Sequence, residues 1–161
     1  MASRTTVRNV LLVAALSPLL LVVLVCFLIW FPFHCRWRLL LRLTVEIAWC
    51  ARGRRILVVY SRSPVWQERI ETEWLPRLGD RAVVLDWSDR ATWGRWRPFA
   101  AVVFRCWAPE KSVNPLVVLF PVFPFVRHIE FYRSFHNWKH GDPSALYAAE
   151  SSLFAFVDEL R

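Results

Sequence analysis

The sequence predicts an α/β protein, with one N-terminal transmembrane helix followed by a small, mostly parallel sheet that is covered by helices. Residues 10–33 are apolar and carry no charged side chain, which is typical of a membrane span. Short runs rich in β-branched residues, such as Ile56–Tyr60, are typical of strands that are buried on both faces. Apolar residues at helical spacing follow this first run, and a second strand-like run, Ala82–Asp86, follows them. This is the order of a strand–helix–strand unit.

The composition and charge narrow the classes of protein to consider. Hydrophobic residues make up 56% of the 161 residues, above the roughly 45–50% of ordinary soluble domains, which excludes intrinsic disorder for most of the chain. Of the net charge of +8, residues 1–55 carry +7 and residues 56–161 carry +1. Because the excess surrounds the apolar segment, we expect a lipid bilayer and no nucleic acid among the partners.

Residues 10–33 are long enough, at ~1.5 Å per residue, to cross a ~30 Å hydrocarbon core as a helix. Their length and the lack of a small-residue cleavage site favour an uncleaved anchor over a signal peptide. Two arginines precede the segment and six follow it closely. The positive-inside rule therefore predicts a single-pass membrane protein, with residues 1–9 outside and the C-terminal domain in the cytoplasm.

Residues 34–55 are predicted to form a basic amphipathic interfacial helix or linker. Arg38, Arg42 and Glu46 recur at four-residue spacing and make a polar stripe, which suits a helix that lies among lipid headgroups. In the alternative interpretation, residues 39–51 pack against the following domain as part of its core. The sequence leaves both interpretations open.

The domain, residues 56–161, is predicted to alternate strands and helices. Strands are expected at four apolar runs, which are Ile56–Tyr60, Ala82–Asp86, Phe99–Phe104 and Leu116–Phe120. Helices are expected to begin near Ser63 and near Asp142, each of which is followed by a proline suited to a first helical turn. Their apolar stripes are Trp66, Ile70, Trp74 and Leu78 in the first helix, and Leu146, Ala149, Leu153, Val157 and Leu160 in the second.

Polar residues follow the first two predicted strands, where ligands bind in open parallel sheets. Ser61, Arg62 and Ser63 offer hydroxyls, a guanidinium and a helix start that can hold a phosphate or carboxylate. Asp86 and Asp89 follow the second strand and can accept hydrogen bonds from a ribose. In the alternative, these residues form a capped helix start and a turn. No cofactor is predicted, because the glycines of a nucleotide-binding loop are missing.

Histidine and cysteine side chains are the candidates for metal ligands. His136 and His140 share one face if their segment is helical, but Gly141 ends the segment at once, so we expect no metal. The spacing of the cysteines suits neither a zinc site nor a disulfide framework; they are Cys26, Cys35, Cys50 and Cys106.

Tryptophan, phenylalanine and arginine are concentrated in two stretches of the domain. Trp93, Trp96, Phe123 and Phe125 are predicted to form a surface for a partner or a membrane, since aromatic residues and arginine are enriched where proteins bind. In the alternative, a small domain buries its tryptophans and stacks arginines on them.

Residues Ile56–Ile70, ILVVYSRSPVWQERI, with VVLDW at Val83–Trp87, resemble the opening of Toll/interleukin-receptor (TIR) homology domains. The resemblance implies a flavodoxin-like parallel sheet and either a scaffold role or cleavage of a nicotinamide dinucleotide. Catalytic members carry a glutamate in a Ser-x-x-Cys-x-x-Glu pattern on a helix after the third strand. Residues Cys106–Glu110, CWAPE, stand there and do not match, which leaves Glu110 as the catalytic candidate and favours a protein that is not an enzyme.

The sequence thus predicts a membrane-anchored cytoplasmic α/β module that binds a protein partner or a small anionic ligand. One alternative is a TIR-like enzyme that processes nucleotides or dinucleotides, using Ser61, Arg62, Asp86 and Glu110. Another is a structural accessory subunit of a membrane complex.

Overall fold

A computed structural model describes residues 36–93, 97–109 and 114–160, together with five residues of the preceding apolar segment, Pro18, Leu21, Val22, Leu24 and Val25. The chain divides into two units, Met1–Leu40 and Leu41–Arg161. The described residues of the first unit are helical, and the second unit contains the sheet.

Within the described residues, no helix is long and apolar enough to cross a membrane. The prediction of a single-pass membrane protein, with its N-terminus outside and its domain in the cytoplasm, is therefore wrong. It rested on the length and apolarity of residues 10–33, which do not by themselves require one continuous helix of the ~20 residues that a span needs. Most of this segment lies outside the described residues.

A four-stranded mixed sheet forms the centre of the second unit. In spatial order its strands are β2 (Ala82–Asp86), β1 (Ile56–Tyr60), β3 (Leu116–Leu119) and β4 (Arg127–Glu130). Strands β1 and β2 are parallel, with Tyr60 opposite Asp86. Strand β3 runs antiparallel to β1, and β4 runs antiparallel to β3.

The predicted, mostly parallel flavodoxin-like sheet is thus also wrong, because two of the three strand pairs are antiparallel. The run Phe99–Phe104, predicted as a strand, lies in a helix over Phe99–Trp107. A short apolar run fits a buried strand and a buried helix equally well, and here the buried positions fall on one helical face. The connection of residues 120–126 between β3 and β4 is shorter than the dozen or so residues that a parallel crossover needs.

Helices cover both faces of the sheet. They are α1 (residues 36–48), α2 (Gln67–Arg69), α3 (Leu75–Leu78), α4 (Phe99–Trp107), α5 (Tyr132–Lys139) and α6 (Ser144–Glu159). A π turn over Ile70–Trp74 joins α2 to α3, and a 3₁₀ turn over Cys50–Arg52 follows α1. The apolar stripes predicted for the two domain helices are confirmed by the buried positions Ile70, Trp74, Leu78, Leu146, Leu153 and Val157.

Two apolar clusters lie on opposite faces of the sheet. The front core consists of Leu41, Val45, Trp49, Cys50, Leu57, Val59, Leu85, Ala100, Ala101, Val103, Phe104, Leu116, Val118 and Phe120. The back core consists of Ile56, Val58, Tyr60, Ile70, Trp74, Leu78, Val117, Leu119, Phe131, Phe135, Leu146, Leu153, Phe156 and Val157. Strands β1 and β3 are fully buried, as their continuous apolar character predicts.

Helix α1 and the turn after it belong to the front core through Leu41, Val45, Trp49 and Cys50. Arg42 lies in the same stretch and is only 2% exposed. Of the two interpretations of residues 34–55, the packing corresponds to the second, in which this helix is part of the domain's core.

Candidate functional site

The carboxyl ends of β1 and β2 bring together three of the residues predicted to bind a ligand. Nε of Arg62 lies 2.8 Å from Oδ2 of Asp86, and its Nη2 lies 3.0 Å from the carboxylate of Asp89. The backbone N–H of Arg62 also donates to Oγ of Ser88 at 2.8 Å. Arg62 is therefore held between two carboxylates, and an anion would have to compete with both of them.

Ser61 and Ser63 lie in the same loop, where they serve the local backbone. The carbonyl of Ser61 accepts a hydrogen bond from the indole N–H of Trp66 at 2.9 Å. The hydroxyl of Ser63 accepts from the backbone N–H of Val65 at 3.4 Å. These contacts order the turn that precedes α2, whose N-cap is Trp66, and ligand binding by this loop stays a prediction.

Tyr60 lies beside this loop at the end of β1 and is 6% exposed. Its hydroxyl donates to Oε1 of Glu71 at 2.9 Å. Burial, and then the hydrogen bond and charge of Glu71, raise the pKa of Tyr60 to about 12. The raised pKa extends the pH range over which Tyr60 keeps its proton and donates this hydrogen bond.

The loop between β3 and β4 is held from beneath by the buried Arg42. We call residues 121–125 the aromatic loop. Nη2 of Arg42 donates to the carbonyl of Pro121 at 3.0 Å, and its Nε donates to the carbonyl of Phe125 at 3.4 Å. Its guanidinium also lies 5.5 Å from the ring centroids of Phe120 and Phe123. One side chain of α1 thus contacts both ends of the loop.

The aromatic loop presents apolar side chains to solvent. Val122 is 78% exposed, Phe125 66% and Phe123 37%. Two of the four aromatic residues predicted to form a partner surface therefore lie together. Trp93 is half-buried and packs against the ring of Trp87, with centroids 5.5 Å apart. Trp96 lies outside the described residues.

A cavity of about 370 Å³ adjoins the aromatic loop. It is lined by Glu46, Arg55, Pro121, Val122, Phe123, Phe156, Glu159 and Leu160. Nη2 of Arg55 lies 3.3 Å from Oε1 of Glu46, and its Nη1 donates to the carbonyls of Phe120 and Pro121 at 3.3 and 3.4 Å. The cavity therefore has apolar walls with charged groups at its edge.

Glu46 forms ion pairs with both arginines beneath the loop, Arg42 and Arg55. Burial alone would raise the pKa of its carboxyl, but the hydrogen bond from Arg42 and the charges of Arg42 and Arg55 outweigh burial and lower it. Glu159 is exposed at the rim and forms no ion pair with any residue that the structure describes. The rim thus keeps one carboxylate available to a partner.

The histidine pair lies on the surface of the domain. The rings of His136 and His140 are 4.6 Å apart, and His136 stacks on Tyr132 at 6.5 Å. Among the described residues, no three histidine, cysteine or acidic side chains come together as a metal would require. Glu110, the catalytic candidate, lies outside the described residues.

Sequence reasoning missed the residues that support the aromatic loop. The sequence places Arg42 and Glu46 on a polar stripe that either faces lipid headgroups or packs on the domain, and it does not single out Arg55 and Glu159. The available signal was the four-residue spacing of Arg42 and Glu46, which is that of an ion pair on a helix. Contacts to carbonyls about 80 residues away leave no local pattern.

Comparison with protein-family models, with characterised proteins and with solved structures finds no match to this chain. The resemblance to TIR domains over residues 56–87 accordingly stays a prediction. The mostly antiparallel sheet differs from the parallel sheet that this resemblance implies.

Proposed function

We propose that this protein is a binding module whose aromatic loop and adjoining cavity take a segment of a protein partner. The observation that carries the proposal is the position of Arg42. A buried guanidinium holds the backbone of a loop that exposes Val122, Phe123 and Phe125. Apolar side chains on a backbone that is already held in place bind at a low entropic cost, because little order must be gained.

The chemistry of the cavity indicates the partner. Its walls include Val122, Phe123, Phe156 and Leu160, which suit one aliphatic or aromatic side chain. The carboxylate of Glu159 at the rim suits a lysine or arginine next to it. We therefore expect a segment with an apolar anchor residue that is flanked by a basic residue.

A protein partner is favoured over a small anionic ligand by the state of the two arginines that an anion would use. Arg62 is paired with Asp86 and Asp89. Arg55 is paired with Glu46, and Glu159 stands at the same rim. An anion at either place would meet carboxylates, whereas a basic residue is attracted by them.

Selection from a random peptide library against the full chain tests the proposal. The selected peptides should combine an apolar residue with a nearby lysine or arginine. Phe125→Ser should weaken their binding by about tenfold, the effect of losing roughly 1.4 kcal/mol at an aromatic contact. The control is Tyr147→Ser, which removes an exposed aromatic residue of α6 and should leave the affinity unchanged.

Glu159→Lys gives the sharper test, since it should shift the selected peptides from basic to acidic flanks. The proposal fails if no peptide is enriched over the Phe125→Ser variant. It also fails if Phe125→Ser and Tyr147→Ser have the same effect, or if Glu159→Lys leaves the flanking charge unchanged.

A further inference from the structure

Helix α1 carries apolar side chains on two opposite sides. Leu41 and Val45 face the front core and are buried. Leu43 and Ile47 lie on the other side of the helix, since successive residues are about 100° apart, and both are exposed, Ile47 to 73%. A helix that is apolar on all sides is normally covered on all of them. Packing on the front core therefore accounts for one side of α1 and leaves the other without a cover.

Exposed arginines lie at the end of the helix where Ile47 is exposed. The guanidinium of Arg52 donates to the carbonyl of Ala48, and the backbone N–H of Arg54 donates to the carbonyl of Trp49 at 3.0 Å. Both arginine side chains are exposed, and neither forms an ion pair with a residue that the structure describes. The exposed apolar side of α1 is thus accompanied by two uncompensated positive charges.

The acidic residue of this stretch does not offset these charges. Glu46 is the only acidic residue in residues 41–55, and it is already paired with Arg42 and Arg55. Apolar side chains beside uncompensated arginines are typical of helices that lie on anionic membranes. The apolar groups enter the boundary between headgroups and acyl chains, and the arginines contact lipid phosphates.

The first unit, taken by itself, shows the same combination of residues. Arg36, Trp37 and Leu39 are exposed among its described helical residues. Residues 10–33, earlier in the chain, carry no charged side chain. Tryptophan and arginine are the residues that membrane interfaces favour beside apolar ones. A lipid surface offers anionic phosphates and hydrocarbon next to each other over a wide area, which favours it here over a single acidic protein segment.

We propose that Leu43, Ile47, Arg52 and Arg54 bind the surface of a membrane that contains anionic lipids. We call these four residues the lipid face. The contact is peripheral, because a helix that lies in the interface needs no segment across the bilayer. None of the four residues lines the cavity beside the aromatic loop. The contact therefore goes beyond the binding of a protein segment proposed above and does not compete for that cavity.

A fluorescent label at the lipid face of the full chain tests the proposal. In a chain with Cys26, Cys35 and Cys106 replaced by serine, an environment-sensitive dye is attached at Ile47→Cys, while Cys50 stays buried in the front core. Vesicles of equal parts phosphatidylglycerol and phosphatidylcholine should shift the emission of the dye to the blue.

Lipids that carry a nitroxide measure the depth of the same dye. They should quench it more strongly when the nitroxide is near the headgroup than when it is near the end of the acyl chain, because an interfacial helix lies only ~5–10 Å deep. The same dye at Tyr147→Cys, an exposed position of α6, should show neither the blue shift nor the quenching. Because the dye reports on its own position, binding of vesicles by another part of the chain does not affect the result.

A charge variant tests the contribution of the arginines. Arg54→Gln should lower the equilibrium constant of the Ile47 contact, measured from the quenched fraction, about fivefold, since an arginine near an anionic surface contributes ~1 kcal/mol. Arg133→Gln removes an exposed arginine of α5 and should leave this constant unchanged. Vesicles of phosphatidylcholine alone should leave the dye in water.

Four results would overturn the proposal. The dye at Ile47 could stay in water on the anionic vesicles, or phosphatidylcholine alone could quench it as strongly. Arg54→Gln and Arg133→Gln could have the same effect. A blue shift before vesicles are added would also overturn it, since a protein surface would then cover Ile47.

Discussion

Nη1 of Arg42 donates to Oε2 of Glu46 at 2.6 Å, one turn further along α1. This ion pair compensates the guanidinium, which is 2% exposed beneath the aromatic loop, for the hydration that it loses on burial. The remaining donors of Arg42 reach Pro121 and Phe125, so the pair joins α1 to the loop between β3 and β4. The candidate binding surface therefore depends on an interaction that lies beneath it.

Removing Arg42 should cost both stability and loop order. We expect Arg42→Ala to lower the free energy of unfolding by about 2–4 kcal/mol, because the carbonyl of Phe125 loses its side-chain donor, while Glu46 and the carbonyl of Pro121 keep only Arg55. Amide hydrogen exchange at Val122 and Phe125 should accelerate. Urea unfolding and exchange mass spectrometry measure the two effects. Arg54→Ala is the exposed control, and an equal loss there would contradict this role of Arg42.

Glu150 should be essential to the contact between the π turn and α6. Oε1 of this buried carboxylate accepts from Nε of Arg69 and from Nε1 of Trp74, both at 2.8 Å. Glu150→Ala should destabilise the fold by about 2–4 kcal/mol, since it leaves both donors without their acceptor. Glu73→Ala removes an exposed partner of Arg69 and should cost less than about 1 kcal/mol in the same urea experiment. Equal losses would refute the assignment.

Ionisation of Tyr60 should lower the free energy of unfolding at high pH. An unfolded tyrosine loses its proton near its ordinary pKa of 10, whereas folded Tyr60 has a pKa of about 12. Its contribution is therefore complete below pH 10 and is lost as the pH rises from 10 to 12. Urea unfolding across this range should show a fall that Tyr60→Phe reduces and the exposed control Tyr147→Phe does not. Identical slopes in the two variants would disprove the prediction.

The elements that sequence patterns predict well are those whose burial follows a local period. Strand β1 is an uninterrupted apolar run and is buried throughout. Helix α6 repeats apolar residues at helical spacing, and Leu146, Leu153 and Val157 are buried accordingly. In both cases neighbouring residues carry enough information, because periodicity reports which side of an element faces the core.

Other elements have no such signal. The run at Phe99–Phe104 has the composition of a strand, but it packs as a helix on the front core. Strand β4 reads RHIE, and its exposed charges show no apolar alternation. For Arg42 the sequence leaves both lipid headgroups and the domain's core open, and the structure has it buried by the loop that it supports. These outcomes depend on partners that are distant along the chain.

The sequence by itself determined that the chain has an α/β domain, with strands at Ile56–Tyr60 and Leu116–Phe120, the second of which ends at Leu119, and a long C-terminal helix, because the apolar pattern of each is complete within its own residues. Only the tertiary structure decided the direction of β3, the helical state of α4 and the burial of Arg42. Strand pairing and ion-pair burial are set by long-range contacts, so the free energies that decide them are absent from any local window of sequence.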